Sequence, residues 1–449
     1  MSQRALWLKN ATLVTMNPER AVLEGGLLIE DGRITAVGSI DPEDADGAEV
    51  LHLDGHVIIP GFVQCHIHLC QTLMRNHADD MALIEWLRGR IWPYEAALTP
   101  EALAVSARVG LAELTLSGTT SLLDMGTVHH TDAIGEAVKE SGLRAHIGKC
   151  MMDHGDQVPE PLHEATDDSM RESLRLHSTW DGAAGGRIQY AFAPRFAVSC
   201  TEELLRQVGE AAADLDCPIH THSSETAFEN EFTQQHYGVS NINFLQRVGI
   251  TGAQSVFAHG VHVDDHDCQI LADTSTTVCH CPSSNLKLAS GIANIPRYDE
   301  FGVPLALGAD GAPCNNNLDA FIEMRLAALL QKPFHGPESM PARRVLELAT
   351  IDGARALGID DEVGSLEVGK SADLVVMDLD SDPGCGPGGD VEARLVYTAQ
   401  KHNVRHVFAS GRQLVRDGRL CGVDTEALMA RARDVQRDVA QRMQQFISG

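Results

Sequence analysis

The stretch PGFVQCHIHL, residues 60–69, decides how this chain is read. Pro60 and Gly61 interrupt what precedes them, and a short apolar run then delivers two histidines, His66 and His68. In an extended strand, residues i and i+2 point to the same side, so both imidazoles can meet one ion. An isolated H-x-H reads equally well as two satisfied core histidines. The segments downstream separate the two readings.

Moving outward, strand-like runs recur near Phe62–His66, Thr119–Asp124, Arg144–Cys150, Arg187–Ala193, Pro218–His222, Ser255–His259, Thr277–Cys281 and Pro304–Asp310. Helical patterns fill most of the gaps. One opens at Thr99 as N-cap, with Pro100 at the first helical position and Glu101 favoured by the helix dipole. Eight strand-then-helix units predict an α/β fold, a (β/α)8 TIM barrel whose active site lies at the C-terminal ends of its strands. Histidine or carboxylate recurs at those ends, as His222, His259 and Asp310. His220 shares a face with His222, but His222 lies nearer the mouth and is followed by Glu225, so His220 reads as a buried support. Cys279, His280 and Cys281 read as packing residues.

Both ends of the chain are β-rich. LLIEDGRITAVG (27–38) carries Asp31-Gly32 between apolar runs, a hairpin signal because both turn residues must tolerate positive φ. SADLVVMDL (371–379) and HVFASGRQLVRDGRL (406–420) repeat the style, with Asp417-Gly418 as the second such turn. The expected organisation is a small β-sandwich domain built from residues 1–57 and 363–422. It flanks a barrel over 58–362, and an amphipathic helix follows within 423–449.

Composition narrows the function. Among 449 residues, 63 Asp and Glu outweigh 35 Lys and Arg, a formal net charge of −28 that argues against a nucleic-acid partner. So acidic a balance also fits a saline habitat. Eleven cysteines are scattered singly, which suits reduced thiols in the cytoplasm better than a disulfide framework. No run approaches the roughly 18 apolar residues of a membrane span, and no signal peptide opens the chain.

PGFVQCHIHL, HTHSSET (220–226), FAHG (257–260), LGADGAPCNNNLD (307–319) and GSLEVGKSADLVVMDL (364–379) together resemble the amidohydrolase superfamily, in its branch of aromatic deaminases and chlorohydrolases. The resemblance covers nearly the whole chain. It implies one Zn²⁺, in some members Fe²⁺, held by His66, His68, His222 and Asp310. It also implies Glu225 as proton shuttle and His259 beside the attacking water, with Asp310 both touching the metal and accepting a proton. Binuclear relatives carry a carbamylated Lys, commonly at the fourth strand end. Here that end reads YAFAPRF (190–196), and the nearest candidate is Lys149 on the third. The zinc deaminase pattern H-x-E with P-C-x-x-C and the H-E-x-x-H pattern are both absent.

The substrate implied is a small aminated heterocycle. Gln71 and Arg195 have the donors and acceptors to grip a ring edge, Trp86 can line the pocket, and Glu95 can accept from a sugar diol. GADGAPCNNNLD, the following EMRLAALLQK (323–332) and the P-Y-E at Glu95 resemble deaminases of adenosine-type nucleosides, including 5'-deoxyadenosine, methylthioadenosine and S-adenosylhomocysteine. HIHLCQ, CMMD (150–153) and PRFAVSC (194–200) resemble guanine deaminase, and s-triazine deaminases and chlorohydrolases share the scaffold. A metal-free scaffold protein of the same fold is the reading from another class, but it normally lacks several of the ligands filled here. Members of the branch are commonly homo-oligomers, and no membrane partner is expected.

Overall fold

The two Asp-Gly turns of the β-rich ends form as expected in a computed structural model describing residues 5–155 and 157–447. Asp31 and Gly32 adopt φ of 46° and 82° and join antiparallel strands Val22–Glu30 and Arg33–Gly38. Asp417 and Gly418, at 51° and 73°, do the same for Arg412–Arg416 and Arg419–Leu420. Gly32 has a second reason to lack a side chain, since a Cβ there would stand 2.7 Å from the Ser410 carbonyl oxygen.

The chain divides into two compact units. The first comprises residues 1–64, 112–121 and 319–423. Its frame is one nine-stranded sheet drawing strands from both ends of the sequence, with His56–Pro60 hydrogen-bonded between Leu6–Val14 and Leu374–Asp378. Alternation along the strands puts Leu27, Ile29, Leu374 and Val376 into one buried cluster with Leu8, Ile58 and Phe408. Leu28 turns to the other face with Trp7 and Ala45.

The second unit comprises residues 65–111, 122–318 and 424–449. Eight segments expected as strands are strands: β1 (Phe62–His68), β2 (Thr119–Met125), β3 (Arg144–Gly148), β4 (Ile188–Tyr190), β5 (Ile219–Ser223), β6 (Ser255–His259), β7 (Thr277–His280) and β8 (Leu305–Leu307). The pairs β3–β4, β5–β6, β6–β7 and β7–β8 are parallel. One array runs β4-β3-β2-β1 and continues to a two-residue strand, Asp310–Gly311, which pairs with the end of β1. The other runs β5-β6-β7-β8. A parallel bridge links Phe192, just past β4, to Ile219 of β5. These strands are buried on both faces, as strands of a covered parallel sheet are.

The helix Pro100–Leu116 starts as expected, with the Thr99 hydroxyl accepting from Ala102 N–H at 3.2 Å. The closing helix spans Thr425–Ile447, capped by Asp424 accepting from Ala427 N–H at 2.9 Å. Among the described residues, no helix is long and apolar enough to cross a membrane.

Candidate metal centre and cleft

The C-terminal ends of β1 and β5 bring His66, His68 and His222 to one point, and Asp310 joins them from the short strand beside β1. One ligand atom from each of the four lies within 4.8 Å of the others. His66 Nε2 and His68 Nε2 stand 3.2 and 3.3 Å from Asp310 Oδ1, and His68 Nε2 faces His222 Nε2 at 3.2 Å. Two neutral imidazole lone pairs aimed at each other beside a carboxylate repel unless a cation lies among them. The donors therefore suit a divalent ion that takes imidazole and carboxylate ligands, as Zn²⁺ does.

Protonation states agree with that use. Burial holds the His66 imidazole down at about 4 and pushes His222 well below its usual value, so both are neutral at pH 7. Burial works against the Asp310 carboxylate, but the His66 and His68 imidazoles outweigh it and keep that group well below the carboxylate range. His68 and His222 donate from Nδ1 to the carbonyl oxygens of Met125 (2.8 Å) and Arg195 (2.6 Å). Each hydrogen bond turns Nε2 toward the shared point.

Glu225 and His259 face the same place. His259 Nε2 lies 3.6 Å from Glu225 Oε2 and 3.9 Å from Asp310 Oδ2. Burial raises the Glu225 carboxyl, favouring a proton on it. Burial opposes charge on His259, yet the Glu225 and Asp310 carboxylates prevail and raise its pKa. His259 and Asp310 both have left-handed backbones, φ 78° and 63°, unusual for side-chain-bearing residues and commonly found where a site needs a side chain re-aimed.

His68, His222, Glu225, His259 and Asp310 line one cleft. Gln71, Leu83, Trp86, Leu87, Arg195, Phe196 and Leu288 complete its wall. Of the four substrate-contact candidates, Gln71, Trp86 and Arg195 face the cleft, and Glu95 is not among its lining residues. Glu95 is buried, with Oε2 accepting from Arg195 Nη1 at 2.7 Å and Oε1 from Gln71 Nε2 at 2.9 Å. Gln71 Oε1 and the Trp86 indole N–H have no protein partner. The Gln71 oxygen sits against Gly311, where a Cβ would approach it to 2.3 Å.

Lys149 is fully buried, pairs with Glu164 and donates to the Cys150 carbonyl at 3.1 Å; it does not join the ligand group. Cys279, His280 and Cys281 are buried outside that group too.

The sequence reading missed the supports. Ser284 Oγ donates to Asp310 Oδ2 at 2.7 Å, Asn285 Oδ1 accepts from His259 Nδ1 at 2.8 Å, and Ser290 Oγ donates to Glu225 Oε1 at 3.0 Å. Ser284 and Asn285 lie on the short helix Pro282–Lys287 that follows β7, and Ser290 lies just beyond it. No periodic pattern marks them. Glu229 accepts from the backbone N–H of Glu225 (2.9 Å) and Thr226 (3.1 Å), closing a capping box whose T-x-x-E spelling was readable.

Known proteins share this arrangement of chain. A 5'-deoxyadenosine deaminase of Methanosarcina acetivorans is 38% identical over 437 residues, covering 97% of this chain and 98% of its own. A 5-methylthioadenosine/S-adenosylhomocysteine deaminase of Moorella thermoacetica is 37% identical over 426 residues, 94% of this chain and 97% of its own. The crystal structure of a zinc-bound adenosine deaminase from Xanthomonas campestris superposes with a TM-score of 0.91 at 32% identity, covering 97% of this chain and 98% of that one. Residues 57–414 match the Amidohydrolase family, and the chain belongs to it.

Proposed function

We propose that this chain hydrolytically removes the exocyclic amine of an aminated purine ring. The best candidate is an adenosine-type nucleoside: 5'-deoxyadenosine, methylthioadenosine or S-adenosylhomocysteine. The observation that carries the reading is the convergence of four ligand atoms within 4.8 Å on a cleft that also presents Glu225 and His259. The names of relatives similar over nearly the full length support the nucleoside. The proposal includes closure of β1–β8 into a (β/α)8 barrel, supported by the parallel links at both ends of the two arrays, and a β-sandwich formed by the nine-stranded sheet.

His66, His68, His222 and Asp310 would hold one ion, Zn²⁺ by donor set, with Fe²⁺ the alternative. When bound, such an ion lowers the pKa of water toward about 7 and so supplies a hydroxide nucleophile at neutral pH. Glu225, whose hold on a proton burial strengthens, passes a proton taken from the attacking water to a ring nitrogen and makes the aminated carbon more electrophilic. It then relays a proton to the departing amine. His259, held by Asn285, orients and stabilises the attacking oxygen, and Asp310 accepts the proton that oxygen gives up. Trp86 and Phe196 provide apolar wall for the ring. Both Glu95 oxygens are taken by Arg195 and Gln71, so Glu95 acts on the substrate by fixing those two; a direct bond to a sugar diol requires that arrangement to open.

One observation favours a second reading. Glu95 binds both the Gln71 amide nitrogen and the Arg195 guanidinium, which leaves the Gln71 oxygen as an acceptor in a cleft wall that also holds Arg195. An acceptor next to donors complements a lactam edge, N–H beside C=O, as in guanine. An ammonia-release screen decides between them. It covers 5'-deoxyadenosine, methylthioadenosine, S-adenosylhomocysteine, adenosine, guanine and ammeline, with chloride release from a chlorotriazine alongside. Turnover of the nucleosides is expected, and turnover of guanine alone overturns the first reading.

A further inference from the structure

The metal-ligating histidines are not secured alike. His68 and His222 each donate from Nδ1 to a backbone carbonyl, which can only accept. Their tautomers are thereby fixed with Nε2 bare. His66 has no carbonyl there. Its Nδ1 faces Nε2 of His220 at 2.8 Å, with the two rings nearly perpendicular at 86° and both residues fully buried.

A contact that short between two ring nitrogens needs one hydrogen between them. A neutral imidazole carries one N–H, so two arrangements satisfy the pair. In the first, His66 Nδ1–H donates to His220 Nε2, His220 keeps its own hydrogen on Nδ1, and His66 Nε2 is free for a cation. In the second, His220 Nε2–H donates to His66 Nδ1, and His66 Nε2–H points at Asp310 Oδ1, 3.2 Å away. Both contain the same two hydrogens and the same charge. Only the first is competent to bind a metal.

The structure assigns His220 the role of positioning residue for the metal ligand His66: it must accept, not donate, for the site to load. The inference rests on the metal-site reading above and goes beyond it, because it makes one residue outside the ligand set govern affinity. His66 is the ligand whose tautomer depends on a side chain, so loss of the acceptor removes the only fixed partner of its Nδ1. That exposes a buried N–H to no partner or lets the hydrogen settle on the ligand atom. Loss of such a supporting partner typically costs about 10–100-fold in metal affinity.

The test is zinc affinity, measured by chelator competition on metal-stripped protein, for the wild type and for His220→Leu, His220→Gln and His220→Asn. A glutamine amide reaches the place of the histidine Nε2, whereas an asparagine amide reaches only that of Nδ1. His220→Leu and His220→Asn should bind zinc about tenfold to a hundredfold more weakly than the wild type, and His220→Gln within a few-fold of it. Melting of the stripped proteins reports folding separately. Wild-type affinity in His220→Leu, or equal losses in the glutamine and leucine variants, overturns the assignment. If the leucine variant does not fold, the glutamine–asparagine comparison decides: equal affinities overturn it, and a rescue confined to glutamine supports it. A wild type that takes up no zinc overturns the metal-site reading itself, a result distinct from the others.

Discussion

Ser284, Asn285 and Ser290 come from one short stretch, yet each holds a different member of the reacting set: Asp310, His259 and Glu225. In the proposed mechanism Glu225 gives and takes a proton at a fixed distance from the ring, and Ser290 holds one of its two oxygens. A hydrogen bond to an ionisable group contributes about 1.5–3 kcal/mol, so Ser290→Ala should lower kcat about tenfold to a hundredfold. Zinc content should stay at the wild-type level because Ser290 touches no ligand atom. An unchanged kcat would mean that Glu225 is aimed by something else. Glu225→Ala should abolish turnover while the purified protein keeps its metal; retained activity removes Glu225 from the mechanism. At this scale the four residues that converge were legible and their supports were not. H-x-H and H-x-x-E are local spellings, whereas the Glu95–Arg195 pair joins residues 100 positions apart. Nothing local encodes which buried side chains meet across a cleft.

The helix Ala227–Tyr237 shows how one element serves both stability and the site. Its N3 residue, Glu229, accepts two backbone N–H groups on Oε1, including that of Glu225, while Oε2 is buried without a partner. Burial raises the Glu229 carboxyl from 4.5 to about 7, which suits a proton on Oε2. A carboxyl raised on folding stabilises fully below its unfolded pKa and loses that contribution as pH rises through the folded value. The loss here is on the order of 3 kcal/mol. Glu229→Gln keeps the accepting oxygen and cannot ionise. Its stability relative to wild type, read by urea unfolding, should therefore improve between about pH 4.5 and 7 and stay level above that. A difference that does not change across this window contradicts the assignment. Strands such as β6 (SVFAH) and β8 (LAL) were readable because burial on both faces makes them short apolar runs. The segment between β1 and the helix Pro100–Leu116 was not. It breaks into a tight 3-10 turn (Leu69–Met74), a wide π turn (Leu87–Ile91) and short helices, because it must carry Gln71 and Trp86 to the cleft wall and Glu95 behind it, bonded to Gln71, instead of keeping one apolar face.

For the molecule as a whole, the four proposed ligands converge only in the folded state, so on this proposal folding and metal uptake are linked. Stripping the metal should lower the melting temperature by several degrees, and zinc should restore it in a concentration-dependent way. Lys149 is tied up with Glu164 and lies outside the candidate ligand group, so the proposal takes one ion per chain. The central claim joins that stoichiometry to the chemistry, and a single titration tests both. Ammonia release from 5'-deoxyadenosine is followed as zinc is added to the stripped protein. The account predicts a rate that rises from near zero and levels off at one zinc per chain. A rate indifferent to zinc, or one that levels off only at two per chain, would contradict it.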